Sequence, residues 1–471
     1  MAEARSKEAL VVCSDRNMNA GITIWDLETG EDLCHIPTCA SPLHGLVCLK
    51  NQFLLASQVQ RHRSFGGGAI FTWSLNKPQV LHRSYPLECI GPICSTKDGL
   101  FLVGGAPSGN AYIWEISSGK LLKIWRAHGK SLSCFSISGD DSLLISGADD
   151  GVVCVWTMIS VLDISDSEQC VNLPSFYTWS QHEAPITALL STSIGLNSFM
   201  ISSSVDGVCK VWDLTSGRLL QTHSYICGVT AIALDPDEQV LFSGCDDGSI
   251  FINQLDIGFE DNPPIILGDH SMVLSGHKGS ITALSFSING SWLISASEDC
   301  TVCIWDVRNW QIIRKFDHKK GRITNLVVVP QISLLAEYAR RSLPRLHVSV
   351  LDKAPNHKDK SDVVSTLHTR RIPEDHIQSS GFRSYTSMVQ QILDLEQGRT
   401  SEAIQMKVET SVENRLWAMS MTKHMSAMNN HLRSRFLDLM QYQLPAHPDL
   451  TIEKRKKQKS SDKEDLRETP A

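Results

Sequence analysis

Apolar and polar residues alternate with a period of two in short runs, and turn residues interrupt the runs about every 8 to 12 positions. That pattern predicts short antiparallel strands. A tryptophan preceded by such a run recurs: ITIWDLETGEDL at Trp25, IFTWSLNKP at Trp73, AYIWEISSGKLL at Trp114, VCVWTMIS at Trp156, CKVWDLTSGRLL at Trp212 and VCIWDVRNWQII at Trp305. A seventh run, IFINQLDIG, has Asn253 in the tryptophan slot. The units repeat about every 47 residues, the scale of stacked or ring-forming repeats. Each unit has one internal order, clearest in the last. The apolar stretch from Ile281 to Phe286 leads to the turn Ile288-Asn289-Gly290, then to a strand from Trp292 to Ser297, a tight turn at Asp299, the tryptophan strand, and a fourth strand from Gln311 to Phe316. The first unit opens at Ala9 to Cys13 without its leading strand. The stretch from Ile323 to Val328 has that strand's pattern, so the two ends of the repeat region are expected to complete one unit together.

A histidine stands 28 to 30 residues before three of the tryptophans: His128 before Trp156, His182 before Trp212 and His277 before Trp305. Asp150, Asp206, Asp247 and Asp299 each stand six residues before the tryptophan slot. The dipeptides Trp25-Asp26, Trp212-Asp213 and Trp305-Asp306 complete the pattern. These features resemble the WD40 β-propeller family over residues 9–330. The resemblance implies an all-β seven-bladed propeller in which His, Ser or Thr, Asp and Trp form a hydrogen-bond chain that locks each blade. A buried carboxylate needs donors and a buried indole N–H needs an acceptor, so His277 with Asp299 reads as structural rather than catalytic. The units at Trp25 and Trp73 lack a clear histidine and are expected to be less regular.

After the ring the pattern changes. A short strand candidate runs from Leu346 to Leu351, within a linker spanning 331–380 that is polar from residue 352 and broken by Pro355 and Pro373. From about Ser384 the periodicity is helical. Met388, Ile392 and Leu395 share a face, and Gly398 ends the segment. A second helix, capped at Thr400 or Ser401, is predicted to run about 43 residues, roughly 64 Å, before Pro445 stops it. The expected organisation is therefore a propeller over 1–330, a linker over 331–380, a C-terminal α-helical extension over 381–444 and a disordered basic tail over 445–471. The long helix carries an apolar stripe of Leu416, Met421, Met425, Met428, Leu432, Phe436 and Leu439, extending back through Val412, Val408 and Ile404. Such a stripe must be covered, by the propeller's flank or the first helix, or by a partner or a second copy. Methionine-rich stripes suit an adaptable docking surface, which favours a partner or self-association. The tail cluster Lys454, Arg455, Lys456 and Lys457 fits a nuclear-import signal.

Charge sharpens this division. The chain of 471 residues has a formal net charge of -7, but residues 1–330 carry -11 and residues 331–471 carry +4. An acidic body does not grip nucleic acid by bulk charge, although direct RNA contact stays open. There is no run of 18 apolar residues and no hydrophobic leader, so neither a membrane span nor a signal peptide is expected. All 14 cysteines precede residue 304 and read as reduced thiols, and Cys300 with Cys303 reads as core packing. There is no GxxxxGK[ST], HExxH or GxSxG, and Gly66-Gly67-Gly68 has no helix after it to cradle a phosphate. No cofactor, metal or catalytic residue is expected.

Three stretches together go further: EALVVCSD with ITIWDLETGEDL, then GPICSTKDGLFLVGGAPSGNAYIWEISSGKLL, then SLSCFSISGDDSLLISGADDGVVCVWTMISVLD. They resemble the WD-repeat subunit of the Rix-type complex, and its plant members most. The resemblance implies a non-enzymatic scaffold in the nucleolus and nucleoplasm, acting in large ribosomal subunit maturation and internal transcribed spacer 2 processing. The implied partners are a large helical-repeat Rix-type subunit, a midasin-type ATPase and the pre-60S particle, and plant members are associated with meristem and root formation. A second reading is a cullin-ligase substrate receptor, because LISASEDCTVCIWDVR resembles a DWD box ending in Trp305-Asp306-Val307-Arg308.

Overall fold

The computed structural model describes residues 7–354 except 15–20, 38, 59–67, 164–172, 193–197, 256–264, 268–271, 319–320 and 335–345; beyond them it describes 408–409, 411–412 and 415. The chain divides into one unit over Met1–Val412 and a second over Glu413–Ala471.

Seven antiparallel sheets, six of four strands and one carrying an added fifth, form the blades of a propeller. Their innermost strands are Leu46–Leu49, Ile93–Ser95, Leu132–Ile137, Ile186–Ser191, Val229–Leu234, Ile281–Phe286 and Ile323–Pro330. Each packs against the innermost strand of the next blade, and Ile323–Pro330 packs against Leu46–Leu49, so the ring closes. Closure occurs inside blade 1. Glu8–Ser14 pairs with Ile22–Asp26 on one side and with Ile323–Pro330 on the other; Val11 lies opposite both Ile24 and Val327. Glu8–Ser14 is thereby held by Ile323–Pro330, from the far end of the ring, and among the described residues no innermost edge is left open.

The second strand of each blade is buried on both faces. Leu143–Ala148, Phe199–Ser204 and Phe101–Gly105 are buried at every position, which is why they read as apolar-plus-small runs rather than clean alternation. Seven apolar clusters result, one at each junction between blades; the cluster of Cys134, Ile145, Trp179, Ile186 and Trp212, for example, joins blades 4 and 5. Hydroxyls also bridge the junctions. Thr187 Oγ1 donates to Val229 O at 2.8 Å and Thr324 Oγ1 to Ser41 O at 2.8 Å, each from an innermost strand to the next blade. Blades 1 and 2, expected to be irregular, each have four full strands. Their tryptophans are held differently: Trp25 stacks on Phe316 at 5.2 Å and meets His318 edge-on, whereas Trp73 Nε1 is buried without a partner.

Three features depart from a plain repeat. Blade 5 carries a fifth strand, Ile265–Leu267, parallel to its outer strand Leu219–Ser224. Residues 346–352, which include the strand candidate Leu346 to Leu351, form an extended strap rather than a paired strand. The strap lies over the turn after Trp114: Ser349 N–H donates to Ile116 O at 3.0 Å and Asp352 N–H to Gly119 O at 2.7 Å. Gly119 permits this approach, because its φ is +76° and a Cβ there would lie 2.0 Å from Val350 O. Val348 and Leu351 are buried with Tyr112 and Trp114. Third, Val408, Glu409, Ser411 and Val412 are helical, and Val408 is buried against Met158 and Leu162 of the short helix Met158–Leu162, with Ser411 Oγ bonded to Asp140 Oδ2 at 2.6 Å. Val408 and Val412 of the apolar stripe are thus covered by the propeller's flank. The rest of the linker, the first helix, Leu416, Met421, Met425, Met428, Leu432, Phe436, Leu439 and Lys454 to Lys457 lie outside the described residues. Among the described residues no helix is long and apolar enough to cross a membrane.

Candidate protein-docking surfaces

The residues singled out by spacing meet in three blades. In blade 7 the Trp305 indole N–H donates to Ser295 Oγ at 2.8 Å, Ser295 Oγ lies 2.8 Å from His277 Nε2, and His277 Nδ1 lies 3.2 Å from Asp299 Oδ2. Blade 5 repeats this with Trp212 to Ser202 at 3.0 Å, Ser202 to His182 at 2.8 Å and His182 to Asp206 at 3.1 Å. Blade 4 has Trp156 to Ser146 at 3.0 Å, Ser146 to His128 at 2.9 Å and a longer His128 to Asp150 contact of 3.5 Å. The donors run one way: indole N–H to serine, serine O–H to Nε2, and Nδ1–H to carboxylate. That order requires a neutral histidine. Burial lowers the His128 and His277 pKa despite the adjacent carboxylates. Burial works to raise Asp299, but bonds from the Thr301 hydroxyl and the Lys278 and Thr301 N–H groups, with His277, hold it down at about 2.

Ser, His and Asp in this order are also the parts of a nucleophilic triad. Here each serine is fully buried and already accepts an indole proton, so no substrate carbonyl reaches it. The three sets are locks between the turn entering the blade and its middle hairpin. Ser295→Ala leaves the Trp305 indole N–H and His277 Nε2 unpaired. We expect it to lower unfolding stability by about 2–3 kcal/mol, read as a fall in denaturation midpoint; an unchanged midpoint would contradict the lock.

Acid titration tests the same locks. His128 and His277 titrate below their ordinary value of 6.5 in the folded chain. Unfolded chains therefore take up protons first as pH drops through that value, and stability present above it is lost. Asp299 adds a second loss, beginning below 3.8 and complete near 2. Asp141 acts oppositely: burial raises its carboxyl to about 6, so its protonation returns some stability between 6 and 3.8. The expected result is a melting temperature that falls between pH 7 and 5, with a smaller fall in Ser295→Ala; no fall in the unsubstituted chain would count against neutral locks.

The remaining positions are placed singly. Trp114 has no serine; Gly104 stands there, and Trp114 Nε1 donates instead to Asp352 O of the strap at 3.0 Å. Asp247 meets no histidine, since Tyr225 occupies that place. Arg308 is exposed, and its N–H closes the turn on Asp306 Oδ1 at 3.1 Å. Cys303 is buried, while Cys300 is partly exposed with its thiol directed to Glu298 O.

The two faces of the ring differ. The strap, the helix Met158–Leu162 and the Val408 segment lie at turns between first and second or third and fourth strands, and this chain covers part of that face itself. The face bearing the histidine turns exposes apolar side chains in its turns, while the opposite face exposes Ile288, Ile332 and Val350. Ile226 is 97% exposed and Val205 50%, on adjoining turns of blades 6 and 5. Leu43 and Leu87 are exposed on the turns entering blades 2 and 3. Sequence reasoning missed this face; single exposed residues in turns leave no periodic signal.

Comparison with known proteins agrees with the ring. The WD40 family (WD domain, G-beta repeat) matches residues 119–157, 174–213, 215–252 and 268–306. The chain is 37% identical over 325 residues to Protein ROOT INITIATION DEFECTIVE 3 of Arabidopsis thaliana, covering 68% of this chain and 72% of that protein. It is 33% identical to human WD repeat-containing protein 18, covering 69% and 73%. It is 24% identical to Pre-rRNA-processing protein IPI3 of Yarrowia lipolytica, covering 67% and 74%.

Proposed function

The chain belongs to the WD-repeat family of ROOT INITIATION DEFECTIVE 3 and WD repeat-containing protein 18, and from that premise we propose that it is a non-enzymatic scaffold subunit of a nuclear complex for large ribosomal subunit maturation. The observation that carries this is similarity, over about two thirds of the chain, to plant and animal members and to a protein named for pre-rRNA processing. The ring supports it physically: its three Ser-His-Asp sets are sealed, and what it offers outward is surface. The proposed partners are a large helical-repeat Rix-type subunit and a midasin-type ATPase on the pre-60S particle. Lys454, Arg455, Lys456 and Lys457 serve nuclear import, which fits a protein of the nucleolus and nucleoplasm. The cullin-receptor reading draws no support from the relatives.

Affinity purification of the tagged chain, with analysis of pre-rRNA after its depletion, tests this. The expected catch is ribosome-assembly proteins, with precursors retaining internal transcribed spacer 2 accumulating on depletion. A cullin adaptor in their place, lost in Arg308→Ala, would overturn the reading. In the same cells Lys454, Arg455, Lys456 and Lys457 changed together to alanine are expected to move the protein toward the cytoplasm.

A further inference from the structure

Blade 6 breaks the rule its neighbours keep. Where blades 4, 5 and 7 join the entering turn to the middle hairpin through a His–Asp bond, blade 6 has Tyr225 and Asp247. The Tyr225 hydroxyl goes to Ser243 Oγ at 2.9 Å and donates to Asn253 Oδ1 at 3.1 Å. Asp247 accepts from the N–H and hydroxyl of Ser249, in its own turn. The same two turns carry thiols. Cys227 stands two residues after Tyr225, and Cys245 ends the second strand Val240–Cys245. The sulfurs of Cys227 and Cys245 and a carboxylate oxygen of Asp247 all lie within 4.8 Å of one another; among the described residues no other group of three Cys, His, Asp or Glu does so.

We propose that Cys227, Cys245 and Asp247 bind a divalent metal ion of the zinc class, with water as the fourth ligand. Two sulfurs and one oxygen are a donor set for Zn²⁺, which binds sulfur at about 2.3 Å and carboxylate oxygen at about 2.0–2.2 Å. Tetrahedral bonds of those lengths put donors about 3.4–3.8 Å apart, so side-chain rotation of about an ångström closes the group on the ion. Thiolates favour zinc over magnesium or calcium, which prefer oxygen. On binding, two S–H bonds break, two protons go to solvent and two S–Zn bonds form, with no change of oxidation state. Burial raises both thiols, so each is protonated before the ion arrives. Cys245 is buried, Cys227 partly exposed and Asp247 exposed, which anchors the ion at one end and leaves it open to water at the other. The ion joins the two turns that a His–Asp bond joins elsewhere, replacing the missing lock.

The test uses the full chain purified under reducing conditions, with zinc content measured directly and Co²⁺ exchanged in as a spectroscopic probe. The expected result is about one zinc per chain and a thiolate-to-cobalt charge-transfer band with visible d–d bands. Cys227→Ser and Cys245→Ser are each expected to abolish the band, and Asp247→Asn to weaken binding at least about tenfold. Because Cys245 is buried, Cys227→Ser is the decisive variant, with folding checked by its melt. Three results would each overturn the proposal: a folded, reduced chain without zinc or cobalt band, an unchanged band in Cys227→Ser, or a Cys227–Cys245 disulfide in protein whose thiols were trapped at cell lysis.

Discussion

Val11→Asp should abolish cooperative folding of the propeller. Val11 is fully buried in the strand that holds both Ile22–Asp26 and Ile323–Pro330, with Ile24 and Val327 opposite it. A carboxylate there meets no cation and cannot reach water. Breaking or stranding a buried charge costs about 3–5 kcal/mol or more, against a total stability of about 5–15 kcal/mol. The substitution falls in the strand that closes the ring, so its cost is felt beyond blade 1. Val11→Ala, losing about 2 kcal/mol by burial and cavity terms, is the control that should still fold. Thermal melts and soluble yield distinguish them. A Val11→Asp chain melting as one unit near the unsubstituted temperature would show that closure contributes little.

Deleting residues 413–444 should reduce capture of partner proteins at least tenfold while leaving the propeller's melt unchanged. The cut is placed by structure. Val408 and Val412 pack on the flank of blades 3 and 4, and Ser411 bonds to Asp140, so a deletion starting earlier would expose Met158 and Leu162 and confuse folding with binding. What is removed is the stripe from Leu416 to Leu439, which we propose as the partner-binding or self-associating element. Co-purification and a hydrodynamic measurement of copy number read the two effects. Undiminished capture by the shortened chain would shift the binding role to the propeller, where Val205 and Ile226 are the exposed apolar side chains to substitute next.

What was legible in the sequence was whatever repeats. The tryptophan strands, their aspartates and the histidines occupy fixed offsets because each blade solves one problem, burying an indole N–H and a carboxylate together, in one way. The ring's closure was legible for the same reason: Ile323 to Val328 has a recognisable partner in Ile281 to Phe286. Features used once were not legible. The strap over Gly119 supplies a carbonyl to Trp114 because Gly104 removed the serine, and nothing in residues 346–352 announces that pairing. The parallel strand Ile265–Leu267 belongs to blade 5 although it lies in sequence within blade 6. Cys227, Cys245 and Asp247 are scattered over 21 positions and converge only in three dimensions. Their one trace was negative, Tyr225 and Asn253 standing where the repeat places His and Trp.

The pairing of Glu8–Ser14 with Ile323–Pro330 also sets a timetable for biosynthesis. The first strand emerges from the ribosome on the order of 300 residues before its second partner exists; at about 5–20 residues per second it waits tens of seconds. Throughout that interval an apolar strand, buried at every position in the finished ring, has one edge available to any other nascent chain. A strand held this way needs shielding during translation, and production should be most sensitive to chaperone supply in the interval before Ile323–Pro330 is delivered.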